Sequence, residues 1–128
     1  MSAPHITLYG IANCDSVRKS RQWFAQRGAQ IHFHDWQKRG LPAATLAEWV
    51  QARGADALIN RRGRTWRQLD SDQQAQASAG DTQTLALLLA HPSLIKRPVA
   101  TCQRPGHADL QISLGYAPET WAAWLASL

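Results

Sequence analysis

Residues 5–36 read HITLYGIANCDSVRKSRQWFAQRGAQIHFHDW, and the fold turns on this stretch. His5–Tyr9 alternates and is rich in β-branched and aromatic side chains, which predicts a strand broken by Gly10. From Asp15 the spacing becomes helical. Val17, Trp23 and Phe24 can share one face, Arg18, Lys19 and Arg21 point elsewhere, and Gly28 supplies a stop. Residues 29–36, AQIHFHDW, alternate again and predict a second strand. Strand, helix and strand within about thirty residues make a βαβ unit, which implies parallel pairing and a right-handed crossover.

Outward from that unit the middle of the chain reads as helical. Pro42 opens a helix with Leu46, Trp49, Val50 and Arg53 at i, i+3, i+4, i+7, closed by Gly54. A basic segment follows at 60–69. Asp81 is placed to cap a further helix, with Leu85, Leu88 and Leu89 on one stripe and Pro92 as its end. Residues 94–102 predict a proline-interrupted strand, 108–116 its hairpin partner, and Pro118 a last helix carrying Trp121, Trp124, Leu125 and Leu128. No repeat, low-complexity tract or long linker divides the chain. The order βαβ, helical block, ββα is that of an α/β, thioredoxin-like fold with a mixed four-stranded sheet. It predicts a single domain over 1–128 with a helical insertion at about 41–92.

The composition fits such a domain. Of 128 residues, 45% are hydrophobic and 18% charged, with six tryptophans for the core. A chain of this length buries roughly two thirds of its unfolded surface, so it needs no disulfide or metal staple. The apolar run LALLLA at 85–90 falls far short of the ~20 residues that span a bilayer, and the start lacks the pattern of a secretory signal. The expected location is cytoplasmic. Two cysteines make neither a disulfide framework nor a zinc site. A net charge of +5 and a pI near 9.9 imply an anionic partner: a nucleic acid, an acidic protein, or a small anion such as glutathione or an oxyanion.

Cys14 stands where the first helix begins, at the carboxyl end of a strand, where α/β units bind ligands. A thiolate there gains the unpaired first-turn N–H groups and the positive end of the helix dipole. The dipole supplies ~0.3–1 kcal/mol. A two-unit shift toward the thiolate needs ~2.7 kcal/mol, so an Arg or Lys brought from elsewhere has to contribute. Asp15 opposes this if its carboxylate turns to the sulfur. The competing reading is an inert, buried cysteine at a strand-to-helix turn. Val17 stands three residues on, so a two-cysteine redox motif is absent.

Four stretches, LYGIANCDSVRKSRQWF (8–24), FHDWQKRGL (33–41), LINRRGRTWRQL (58–69) and HPSLIKRPV (91–99), resemble successive blocks of the ArsC/Spx/YffB family of arsenate-reductase-related proteins, most closely its YffB branch. The resemblance implies single-cysteine thiol chemistry with glutathione or glutaredoxin as co-reactant, no bound cofactor, and a small oxidised or anionic substrate. It puts the catalytic cysteine at Cys14 and the arginine of the RP motif at Arg97, with Pro98 as the cis-proline beside the cysteine. Asn13, Arg61, Arg62 and Pro98 are then the candidate substrate- or anion-binding residues. Arsenate reductases carry an arginine where this chain has Asn60, and a further one for which Arg104 is the available candidate, so arsenate itself is not the expected substrate.

Other features carry blander readings. Arg61, Arg62, Arg64 and Arg67 can clamp an acidic ligand, dock on an acidic partner, or form a solvated loop. Trp66 is the single aromatic among them, which argues against single-stranded nucleic acid. His32 and His34 share a strand face but have no third ligand nearby, so no metal site is expected. Trp49, Trp121 and Trp124 read as core. Cys102 reads as a strand-end thiol, able to resolve a disulfide at Cys14 only if their Cα atoms come within ~7 Å. The leading function is a glutathione-dependent thiol reductase. The alternative is an Spx-like regulator that docks on RNA polymerase, although such regulators carry a second cysteine at the place of Val17.

Overall fold

The computed structural model describes residues 4–126. They fall into two compact units: residues up to Gly40 together with those from Arg97 onward, and Leu41–Lys96.

The first unit holds strands β1 (His5–Gly10), β2 (His32–Asp35), β3 (Val99–Gln103) and β4 (Leu110–Leu114) in one sheet of order β2-β1-β3-β4. β1 pairs parallel with β2 and antiparallel with β3, and β3 pairs antiparallel with β4. The mixed sheet is the predicted one. The inner strands are the most buried, as strands with neighbours on both sides must be.

Helix α1 (Asp15–Gln26) connects β1 to β2 and buries Val17, Ser20, Trp23 and Phe24. The expected apolar face is present, with Ser20 added. Its hydroxyl donates to the Ser16 carbonyl at 2.6 Å, which satisfies a buried polar group inside the helix. α1 ends in a paired turn: Ala29 N–H reaches the Phe24 carbonyl at 3.1 Å and Gly28 N–H reaches that of Ala25 at 3.0 Å. Gly28 takes the left-handed φ of +66° that this motif needs. Because the turn uses Ala29, β2 starts at His32 rather than at 29. It stops at Asp35, whose carboxylate caps the short helix α2 (Trp36–Arg39) by accepting from Gln37 N–H at 3.0 Å.

Helix α8 (Pro118–Ala126) and α1 supply the aromatic side of the core. Trp23, Phe24, Trp121 and Trp124 cluster with Ile6, Leu8, Ala100 and Cys102. Trp121 lies 4.9 Å from Phe24 and 5.6 Å from Trp23, centroid to centroid, and its indole N–H donates to Ser113 Oγ at 2.8 Å. The core reading of Trp121 and Trp124 holds, while Leu128 lies outside the described residues.

The second unit is helical: α3 (Ala43–Arg53), α4 (Ala55–Leu58), α5 (Arg64–Gln68), α6 (Ser71–Gln76), α7 (Asp81–Ala90) and a 3-10 turn at Pro92–Leu94. α3 buries Leu46, Trp49 and Val50 as expected. α7 differs from its sequence reading. Gly80, not Asp81, is its N-cap, and the buried face is Thr84, Leu87 and Leu88, with Leu89 exposed. Thr84 can be buried because its hydroxyl donates to the Ala77 carbonyl at 3.1 Å, so a polar residue took the place expected of a leucine. The strand expected from residue 94 begins only at Val99. Ile95 forms an isolated bridge with Ile59, and Lys96 N–H donates to the Leu58 carbonyl at 2.8 Å. None of the described helices is long and apolar enough to cross a membrane.

Candidate functional site

One end of the sheet gathers most of the predicted site. β1 and β2 finish there with Gly10 opposite Asp35, while β3 starts there with Val99 opposite Tyr9 and Leu114. Continuing the β1–β3 register one step sets Pro98 level with Gly10. The Arg97–Pro98 bond is cis, as the family resemblance implied. Pro98 is buried and its carbonyl accepts from Gly115 N–H at 2.8 Å, which ties the turn after β4 to the same end. Arg97 is half-buried and has partners of its own.

The chain leaves β1 through Ile11–Asn13 and reaches Cys14, the N-cap of α1, with extended φ and ψ of −140° and 127°. Gly10 makes the close packing of strand end and helix possible. A Cβ there would stand 2.6 Å from Val17 Cγ2. Cys14 is half-buried and a free thiol. Its side chain does not cap the helix, while its carbonyl accepts the first helical bond from Arg18 N–H at 2.9 Å. An uncapped N-terminus leaves first-turn N–H groups available to an anion.

Arg18, placed off the apolar face of α1 as expected, organises this turn. Its guanidinium pairs with the Asp15 carboxylate and donates to Asn13 Oδ1 at 3.3 Å. Asp15 therefore spends its charge on Arg18, the i, i+3 partner that helical spacing makes available. That spacing was the signal in the sequence.

Cys102 is not placed to resolve a disulfide at Cys14. It pairs with Ile6, four residues along β1 from Gly10, which is about 13 Å of strand. It is fully buried, and burial pushes its thiol pKa up against a smaller opposing pull from Arg104. Arg104 follows Gln103, which pairs with His5 at the other end of β1. It cannot stand in for the further arginine of arsenate reductases.

Arg61 and Arg62 belong to the helical unit. With Ile59, Asn60 and Lys96 they line an open surface pocket of about 390 Å³. Arg61 is committed to Asp56, with Nη2 2.6 Å from the carboxylate, and its guanidinium lies 5.2 Å from the Trp66 ring. Arg62 N–H donates to Asn60 Oδ1 at 3.1 Å, and the Arg62 carbonyl accepts from Arg67 Nη1 at 2.9 Å. The basic cluster is therefore partly self-bonded, which leaves the side chains of Arg62 and Arg64 exposed. Lys96 joins the pocket from a distant stretch and escaped the sequence reading.

His34 Nε2 is 2.8 Å from the Gly40 carbonyl, so that ring nitrogen carries a proton, and the ring lies 5.3 Å from Tyr9. Among the described residues no three metal-ligating side chains come together.

Comparison with known proteins fits this arrangement. Residues 9–124 match the model of the ArsC family. An uncharacterised protein of Haemophilus influenzae is 40% identical over 94 residues, 73% of this chain and 81% of the relative. The global transcriptional regulator Spx 2 of Oceanobacillus iheyensis is 28% identical over 96 residues, 73% of this chain and 68% of its own length. Among solved structures, a YffB protein superposes with a TM-score of 0.80 at 34% identity, covering 94% of this chain and 98% of its own. An arsenate reductase (ArsC) related protein from Brucella melitensis gives 0.70 at 34%, covering 96% of each. With its mixed sheet, its cysteine at the head of α1 and its Arg–Pro pair opening β3, the chain belongs to the ArsC family.

Proposed function

We propose that this protein is a cytoplasmic thiol oxidoreductase that works through Cys14, with glutathione, free or delivered through glutaredoxin, as the reductant. The observation that supports this best is the sharing of one sheet end by an uncapped helix start bearing a free thiol and the cis Arg97–Pro98 pair. The Cys14 thiolate attacks the sulfur of an oxidised substrate and displaces one thiolate, forming a mixed disulfide. A glutathione thiolate then attacks the substrate sulfur of that disulfide, releases the Cys14 thiolate, and leaves as a glutathione–substrate disulfide. A second glutathione reduces that product to free thiol and oxidised glutathione, so both electrons come from outside the chain. An external thiol is required because Cys102 is buried far along β1. Arg97 stabilises the thiolate and any bound anion. Asn13 fixes the turn through Arg18, and Pro98 shapes the wall.

Arg61 and Arg62, with Lys96, are proposed to bind a carboxylate or other small anion in the pocket of the helical unit. Arsenate is not favoured, since Asn60 and Arg104 do not supply the expected arginines.

The decisive measurement is turnover of a small disulfide with glutathione. Cys14→Ser should abolish it and Cys102→Ala should retain it. Equal rates in wild type and Cys14→Ser would end this reading. The similarity to the Spx 2 regulator favours a second reading, docking on RNA polymerase. Here Val17 is a core residue, so docking would run without a disulfide switch. Stoichiometric recovery of polymerase on the reduced protein, unchanged by Cys14→Ser, would favour it.

A further inference from the structure

Lys19 stands five residues beyond Cys14 on α1, about 7.5 Å along the helix axis. Its ammonium lies 4.2 Å from the centroid of the Tyr116 ring. That ring is itself fixed: it meets the fully buried Trp121 edge-on, at 5.6 Å and 89°. Gly115, with a φ of +77°, anchors the same turn to the Pro98 carbonyl. Tyr116 nevertheless stays 36% exposed, and Lys19 is exposed. Arg18, its neighbour, is taken up by Asp15 and Asn13. Among the described residues no carboxylate lies within ion-pair distance of Lys19. The result is an exposed cation set over an aromatic ring, with the turn that carries the ring tied to the end of the sheet where Cys14 lies.

We propose that Lys19, positioned by Tyr116, is a specificity-determining residue that receives a carboxylate of glutathione when the glutathione sulfur engages Cys14. The inference rests on the thiol-redox reading and goes beyond it by naming how the co-substrate is told from other thiols. The glycine carboxylate of glutathione lies about one residue length from its sulfur and the γ-glutamyl carboxylate farther, so the two span ~4–9 Å. That range includes the ~7.5 Å axial rise from Cys14 to Lys19. The pre-placed ammonium has already lost much of its side-chain freedom, so a carboxylate meets a prepared partner. A solvated cation–π pair with no ligand would show the same contact but no preference for one disulfide over another.

The test follows mixed-disulfide formation at Cys14 by intact-protein mass spectrometry. In that step the Cys14 thiolate attacks oxidised glutathione, one S–S bond breaks as another forms, and one glutathione thiolate leaves. Hydroxyethyl disulfide, which has no carboxylate, is the comparison reagent. Lys19→Met should slow the reaction with oxidised glutathione about two- to fivefold and leave that with hydroxyethyl disulfide unchanged. Tyr116→Leu should shift the preference in the same direction, and Tyr116→Phe, which keeps the ring, should not. At about 1 M salt, where the screening length is ~3 Å, the preference of the wild type should collapse to that of Lys19→Met. Arg21→Met removes an equal charge from the flank of α1 that packs on Phe33 and should not change the preference. An equal loss with both reagents, no loss, or the same loss in Arg21→Met would overturn the assignment. If wild type reacts with both reagents but Lys19→Met leaves their ratio unchanged, the Lys19 role falls alone. If wild type reacts with neither, the thiol-redox reading fails and this one with it.

Discussion

At the scale of single residues, Ser113 holds more of the core than its size suggests. Its hydroxyl is the acceptor for the indole N–H of Trp121, and both side chains are buried. Removing the acceptor strands a donor in an apolar cluster, which costs ~1–3 kcal/mol. Ser113→Ala should lower the unfolding free energy from urea titration by that amount, and pairing it with Trp121→Phe should cost less than the two changes summed. A fully additive pair in denaturant titrations would count against this bond. The role proposed for Arg97 is chemical instead. If it favours the Cys14 thiolate, Arg97→Met should slow iodoacetamide labelling of Cys14 near neutral pH about fivefold, roughly 1 kcal/mol of lost interaction. Arg97→Lys should recover part of that rate, and unchanged labelling in Arg97→Met would remove Arg97 from the mechanism.

Among the elements, α1 is held at both ends by glycines needed for opposite reasons. Gly10 provides space, since a Cβ would lie 2.6 Å from Val17 Cγ2. Gly28 provides conformation, since nothing lies within 4 Å of a Cβ there but its φ is +66°. Gly10→Ala should destabilise by ~1–3 kcal/mol through overpacking, and Val17→Ala should relieve part of it in the double variant. Gly28→Ala should cost ~1–2 kcal/mol of left-handed strain whatever Val17 is. Thermal unfolding of the three single variants and of each glycine variant combined with Val17→Ala separates the two causes. Coupling at Gly28, or none at Gly10, would contradict them. The Gly10 contact also sets where Cys14 meets the strand end, so Gly10→Ala should lower thiol turnover as well as stability.

For the whole molecule, the buried thiol of Cys102 links stability to pH. Its pKa is raised above the ordinary 9.0, chiefly by burial. The folded chain therefore keeps a proton that the unfolded chain releases. The stabilisation is full below about pH 9, the ordinary thiol value, and is lost as pH rises through the folded value. Denaturant midpoints should fall across that window in wild type, and more shallowly in Cys102→Ala. Equal slopes would mean that Cys102 contributes nothing to the link.

The residues themselves carry the βαβ opening, the β-hairpin with its closing helix, and the apolar face of α1, because period-2 and helical patterns are local and a Gly or Pro marks many of the ends, at Gly10, Gly28, Pro98, Gly115 and Pro118. They also carry the family, through blocks in fixed order around Cys14 and Arg97–Pro98. The gaps in that reading arose wherever a partner came from far along the chain. Thr84 is buried because Ala77 offers it a carbonyl, and Lys96 joins Arg61 and Arg62 because Ile95 bridges Ile59. Strand register alone separates Cys102 and Arg104 from the Cys14 end of the sheet. The physical reason is that spacing along a chain sets which face a side chain takes. Hydrogen-bond pairing between distant strands and turns sets what that face meets.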